Sequence, residues 1–521
     1  MPLRLFVLLR LLACFLACGA MVQAQTAAPA PPTNPNAPVR TLKASTHVVV
    51  LDVVVTDKAG HPVAGLTRQD FTLREDGKPQ SIRSFEAVTA EQPLSASTPH
   101  TILLVDEMNT EFTDMAFVRY SVNKLLTRSS RLSEPTALYV LTNSGIKILA
   151  NYTRDPQMLE TALKQHAAVL PWRLHRGFYS AVDRINISLT ALQQIAMANA
   201  GAPGRKNIVW ISPGFPIFSA LDLSGGNRQK IFDAIRKLSD ELLKARISVY
   251  SIDPRGVYGV SNGLSFTNNT QFAAYVNALS SANQAAFGDL AIQTLAVQTG
   301  GRALYGRNDV DAEIASTLAD AATYYTLSYT PTNRDYNGKF RKVLLTLPGD
   351  PGYGVRTRDG YYALANEGPL SQEQVTQELG SALSSSLPYT ALPIPVIYVR
   401  LFNRPDHAAL EMQIPTSALT WSPNEKGGGT ARITVAAAGI AASGKIETEH
   451  VAGFEFDGTP AQISPGSSGQ VRFSFRLPLQ LPVDHVRVVV RDQESGYIGS
   501  TELTRLGTAK GQEPLATLKE R

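Results

Sequence analysis

Residues 101–110 read TILLVDEMNT: four apolar residues run into Asp106, and a polar stretch of Glu107, Asn109 and Thr110 follows at once. A continuous apolar run closed by a carboxylate has the pattern of a parallel strand covered on both faces, with the acid at its carboxyl end. In open α/β sheets that end carries the ligand crevice, because the connecting loops rise over the strand tips there. A helix should follow. Thr113 can cap it, and Phe117, Tyr120, Leu125 and Leu126 supply an apolar face.

Outward from this stretch, between about His100 and Gly306, the rhythm is strand then helix. Strands are predicted at 101–106, 137–142, 207–212, 247–253 and 303–305. Helices are predicted at 113–127, 156–169, 179–198, 228–245 and 285–298, the last stopped by Gly300-Gly301. Such alternation argues for an α/β, doubly wound, Rossmann-type sheet with helices on both faces. A further helix at 311–322 leads into 324–329, 340–347 and 355–362, which read as antiparallel strands around a turn at Asn337-Gly338 and close the domain. Residues 256–282 are rich in Gly, Asn and Ser, the composition of a long loop over the carboxyl edge; loops of that length are functional lids or disordered.

The flanks differ in character. Arg4, an apolar stretch at 5–20 broken by Arg10, and Val22-Gln23-Ala24 are the parts of a secretory signal peptide, with cleavage expected after Ala24. An uncleaved anchor is the rival, but Arg10 interrupts the stretch and it is short for a span. Lipidation at Cys14 or Cys18 would cut the apolar core short. Residues 25–45, with TAAPAPPTNPNAP, form a Pro/Ala linker. Residues 46–92 alternate strand and turn and are expected to form a small β-sandwich of immunoglobulin or carboxypeptidase-regulatory type. The α/β domain with its closing strands takes 98–362. A polar, Ser- and Pro-containing linker is expected at 363–393, a second β-sandwich at 394–505, and a tail at 506–521.

Charge and cysteine usage exclude several function classes. The chain has 49 Lys+Arg against 44 Asp+Glu, a net charge of +5, and loss of Arg4 and Arg10 would lower this by two, to +3. That is too mild to argue for nucleic acid, and no basic stripe with interleaved aromatics occurs. No segment after the leader is long and apolar enough to span a membrane. Both cysteines, Cys14 and Cys18, lie in the leader, so the expected mature chain has no disulfide, no Cys-ligated zinc and no thiol nucleophile.

Several segments occur in order over roughly residues 46–362: VVVTDKAGHPVAGLTRQDFTLREDGKPQSIRSFE, TILLVDEMNT, KNIVWISPGF, LAVQTGGRAL, YYTLSYTPTN and GKFRKVLLTLPG with VRTRDGYYA. Together they resemble the von Willebrand factor A-related domain family of acidobacterial secreted proteins. The resemblance implies a doubly wound A-type domain used for ligand and protein binding, with no established chemistry for this subfamily; residues beyond 362 lie outside it. Classical A domains hold a divalent cation through an Asp-x-Ser-x-Ser loop, a distant Thr and a further Asp, all hard oxygen ligands suited to Mg²⁺. Carried over, Asp106 and Thr110 match the first and third loop positions, and Thr190, or alternatively Ser188, matches the distant hydroxyl. Met108 replaces the first Ser and Ser212 the last Asp. Asp253, at the end of the next strand, could compensate, and Asn109 is a spare oxygen donor. A degenerate metal site of Asp106, Thr110 and Thr190 falls short of a full hard-oxygen shell, so no firmly held cofactor is expected. The alternative role for Asp106 is to cap the following helix or bond loop amides.

Other constellations are weaker. Gly259-Val260-Ser261-Asn262-Gly263 fits a nucleophile pattern but lacks a strand leading into it. Ser121 with Lys124, and Ser144 with Lys147, both match a loose Ser-Lys spacing. The eight histidines are scattered, and His166 reads as a solvated or satisfied residue. Trp172, amid Arg173, His175 and Arg176, is either an interface anchor or a loop aromatic folded over its own domain. The sequence therefore points to a secreted, periplasmic or extracellular, non-enzymatic protein of binding or adhesion type. Its protein or glycan partner would meet Asp106, Asn109, Thr110, Trp172, Thr190, Ser212 and Asp253. A hydrolase acting in the same crevice and a structural envelope component with a vestigial site are the alternatives.

Overall fold

The computed structural model describes residues 48–89, 99–168, 178–202, 204–214, 225–257, 281, 292–349, 352–365, 370–394, 396–401, 407–425, 427–464, 467–478 and 483–504. The leader, the 25–45 segment, Trp172, the Gly259–Gly263 pattern, most of 256–282 and the tail lie outside the described residues.

The amino-terminal strands are β1 (Val49–Thr56), β2 (Thr72–Glu75), β3 (Lys78–Gln80) and β4 (Ile82–Val88). The α/β region follows as β5 (His100–Asp106), α1 (Phe112–Arg128), β6 (Thr136–Thr142), β7 (Gly145–Thr153), α2 (Pro156–Gln165), α3 (Phe178–Asn199), β8 (Lys206–Ile211), α4 (Gly225–Lys244), β9 (Ile247–Ile252), α5 (Ile292–Gln298), β10 (Ala303–Leu304) and α6 (Val310–Ala322). Its sheet has the order β10-β9-β8-β5-β6-β7. Five neighbours run parallel, and β7 is an antiparallel edge joined to β6 by a tight turn.

The uninterrupted apolar strands follow from burial on both faces. Ile102, Leu104, Ile208 and Trp210 pack with Ile185, Leu192, Ile235 and Leu295 of α3, α4 and α5. The alternate residues Leu103, Val105, Val209 and Ile211 pack with Met115, Val118, Leu159 and Ile314 of α1, α2 and α6. Each face thus has its own helical layer, and period-2 alternation of polarity disappears. Gly301 permits the close approach of α5 to β9, since a Cβ there would stand 1.7 Å from the Val249 carbonyl oxygen.

The flanks differ from expectation. After α6 come β11 (Tyr324–Tyr329), β12 (Phe340–Thr346), β13 (Gly354–Arg356) and β14 (Gly360–Tyr362). These pair with the amino-terminal strands, giving two four-stranded sheets, β13-β1-β11-β4 and β14-β12-β2-β3. Leu51, Val53, Phe71, Leu73, Tyr325, Leu327, Val343 and Leu345 share one cluster between them. Residues 46–92 therefore do not close a β-sandwich by themselves, and β11 and β12 do not form a hairpin around Asn337-Gly338. The reason is backbone pairing: β1 takes β11 on one side and β13 on the other, so both of its strand partners come from distant chain. Gly338 donates instead to the Ala363 carbonyl at 2.7 Å.

The expected linker at 363–393 contains a packed helix, α7 (Gln372–Ser384), opened by a capping box at Ser371. Its Val375, Leu379, Ala382 and Leu383 are buried together with Ala436, Ala438 and Val489 from the carboxyl-terminal strands. Those strands are β15 (Val396–Leu401), β16 (His407–Pro415), β17 (Ser422–Pro423), β18 (Gly429–Ile440), β19 (Ile446–Gly458), β20 (Gln470–Pro478), β21 (His485–Asp492) and β22 (Ile498–Thr504), with the four-residue helix α8 (Pro460–Ile463). They make two sheets, β15-β16-β20 and β17-β18-β21-β22 with β19 on β18, around Leu410, Met412, Ile433, Val435, Phe475 and Val488. Among the described residues no helix is long and apolar enough to cross a membrane.

Candidate functional site

The parallel register aligns Val105 with Ile211 and Ile211 with Ile252. The next residues, Asp106, Ser212 and Asp253, therefore stand in a row at the carboxyl tips of β5, β8 and β9, as the apolar runs anticipated. What each side chain does there differs.

Asp106 is fully buried. Its Oδ1 accepts from the backbone N–H of Met108 at 3.1 Å and of Asn109 at 2.9 Å. Its Oδ2 accepts from Asn109 Nδ2 at 2.8 Å and from the Trp210 indole at 3.0 Å. Burial pushes its pKa up from the ordinary value, opposed by the bonds from Asn109, Trp210 and Ser212. Asn109 Nδ2 also donates to Ser188 Oγ at 3.2 Å. Ser188 lies on α3, and Arg184, one turn earlier and half-buried, acts on Asp106 through its positive charge. Thr190 is exposed, so of the two hydroxyls it is Ser188 and not Thr190 that reaches this loop. Ser212 is buried; its Oγ accepts from Gly214 N at 3.0 Å, closing a turn in which Gly214 has φ +91°. The hydroxyl of Thr110 and the Oδ1 of Asn109 are buried without a hydrogen-bond partner.

Asp253 does not supplement this cluster. Arg255 clamps it, with Nη2 2.6 Å from Oδ2 and Nε 2.9 Å from Oδ1. Beyond the pair lies Glu313 on α6, 4 % exposed, with neither carboxylate oxygen hydrogen-bonded. Burial pushes its pKa to about 7, with Asp309 and Asp253 raising it and Arg307 and Arg302 opposing. Glu107 points to the other face, where His166 Nε2 lies 3.0 Å from its Oε1 and Arg119 3.9 Å away. His166 is thus a buried, satisfied residue.

These residues do not fit a hard divalent cation. Both oxygens of Asp106 already receive two N–H donors each, Thr190 faces away, and a guanidinium supplies positive charge beside the carboxylate. No group of three or more His, Cys, Asp or Glu suited to a metal occurs among the described residues. The arrangement fits the alternative role, in which Asp106 organises its loop by binding amides. Arg184, Trp210, Arg255 and Glu313 went unidentified from sequence. The Arg184–Ser188 spacing of four on a helix, and Trp210 two residues before Ser212 on one strand face, were the available signals.

No family model matches the chain, and no curated protein matches it. Among solved structures it is similar to the SpRpn10 VWA domain, at 15% identity over 30% of this chain and 75% of that one, with a TM-score of 0.17. It is also similar to β-glucosidase 3B from Thermotoga neapolitana in complex with α-D-glucose, at 11% identity over 81% of this chain and about half (52%) of that one, with a TM-score of 0.15. Likenesses at this level carry no argument about function.

Proposed function

We propose that this is an exported, non-enzymatic binding protein whose A-type α/β domain engages a protein or glycan partner at the carboxyl edge of its sheet, without a bridging cation. The observation that carries this reading is the saturation of Asp106: four N–H donors fix the 106–110 loop as a rigid floor, so contact falls to the surrounding loop residues. A preorganised floor suits binding, because little ordering remains to oppose association. The hydrolase alternative is disfavoured by how the polar residues are engaged. Ser121 is buried within α1 and Lys124 pairs with Asp311 at 2.8 Å, while His166 pairs with Glu107.

The test is a pull-down from envelope extract with the mature chain, with and without chelator. Recovery of one partner that is insensitive to chelator and lost on substitution of Phe112 supports the reading. Recovery only with Mg²⁺, abolished by Asp106→Asn in a protein of unchanged melting temperature, would overturn it. Export rests on the leader, and the exported chain should begin at Gln25 when its amino terminus is sequenced.

A further inference from the structure

The carboxyl edge carries a charge imbalance beside exposed apolar side chains. Arg255 is the guanidinium that serves Asp253, Asp114 and Glu111 together. Asp114 is held above the ordinary carboxylate range by burial and by Glu111 and Asp253. Behind them Glu313, nine-tenths buried and more, has neither oxygen hydrogen-bonded and feels the charges of Asp309 and Asp253 as well as those of Arg307 and Arg302. Burying an unpaired carboxylate is costly, and a neighbouring carboxylate adds to that cost. Arg255 is engaged by Asp253, Arg307 by Asp309 and Arg302 by Asp320, so among the described residues no ion pair serves Asp114 or Glu111.

Three large apolar side chains border it. Phe112, which opens α1, is 68 % exposed; Val257, two residues beyond Arg255, is 58 % exposed; Tyr305, just past β10, is 41 % exposed. The tips of β9 and β5 are separated by β8 alone, about 10 Å in all. Asn308 ties the Val257 segment to the loop after β10 by accepting from Val257 N at 3.2 Å. Exposed aromatic and aliphatic residues rimmed by charge are the composition of an interaction surface.

We infer that the surface formed by Phe112, Glu111, Asp114, Val257 and Tyr305 binds a basic, amphipathic protein segment, whose apolar residues cover Phe112 and Val257 while a Lys or Arg supplies a cation to Asp114 and Glu111. This rests on the binding reading above and gives it a partner chemistry. It also inverts the acidic partner that a cation-bridged site would take.

The probes are two fluorescent peptides of the same length, one alternating Leu with Lys and one alternating Leu with Glu, titrated against the full mature chain in chelator and followed by anisotropy. The basic peptide is expected to bind at least about tenfold more tightly than the acidic one. Its affinity should fall about threefold to tenfold in Asp114→Asn and in Phe112→Ser, and should weaken with added salt as the Debye length shortens. Phe112 and Val257 are exposed, so Phe112→Ser and Val257→Ser should leave the melting temperature unchanged and keep the comparison clean. Preference for the acidic peptide, with loss in Phe112→Ser, would overturn the basic partner while keeping the edge as a binding surface. Affinities indifferent to Phe112→Ser and Val257→Ser would overturn both.

Discussion

Asp106 shows how one carboxylate can be central to a loop without being its ligand. Removing it in Asp106→Ala leaves three N–H donors unpaired in a buried site, since the Met108 N–H keeps the Leu141 carbonyl at 3.2 Å. The expected cost is about 3–5 kcal/mol in urea unfolding, because each orphaned donor keeps its full desolvation penalty. Glu313 should report on pH. Its folded pKa of about 7 lies above the ordinary glutamate value of 4.5, so the folded state holds the proton longer than the unfolded state. Stability is therefore fully present below about pH 4.5 and falls as the pH rises toward 7. Glu313→Gln should flatten that stretch and exceed the natural protein by about 1–3 kcal/mol at pH 8, with the difference vanishing near pH 4. At this scale the place of Asp106 was legible, because an acid ending a buried run marks a strand tip. Its partner Trp210 was not, standing 104 positions away. Thr190 was misplaced for a geometric reason: two residues along a helix rotate by about 200°, so Ser188 and Thr190 cannot share a face.

The elements that could be read were those whose burial is complete. β5, β8 and β9 are covered on both faces; β5 and β8 show as unbroken apolar runs, and β9 as an apolar run interrupted by Ser248 and Ser251. The helix α7 left a fainter mark, with four buried positions in thirteen residues among Gln, Glu, Ser and Thr. Composition then suggests a linker, although 375, 379, 382 and 383 lie on one helical face. Leu379→Ala should cost about 2–5 kcal/mol in thermal or urea unfolding, since the side chain fills the layer between α3 and the carboxyl-terminal sheet. Limited proteolysis should spare residues 372–384 in the natural protein; early cleavage there would show that the helix is not packed.

Over the whole molecule, sequence reading divided what the fold joins. The pairings of β1 with β11 and of β2 with β12 link chain segments far apart, and no local pattern encodes such a partner. Asp52 on β1 further ties these sheets to the α/β region by pairing with Arg246, which also donates to Thr326 Oγ at 2.9 Å. Residues 98–362 expressed alone should therefore lack cooperative melting, because β11 and β12 lose β1, β4 and β2 and expose their inner faces. A sharp transition equal to that of the full chain would contradict this. The same pairing sets a clock on biosynthesis. Asp52 meets Thr326 across 274 positions, and at about 5–20 residues per second a ribosome needs about 14–55 s to supply that length. During this interval β1 and β4 lack their native strand neighbours and present open edges, the condition under which unpaired β-structure aggregates. A nascent chain of this protein should accordingly depend on a holding chaperone until β11 emerges, whereas the parallel sheet can assemble as its strands arrive.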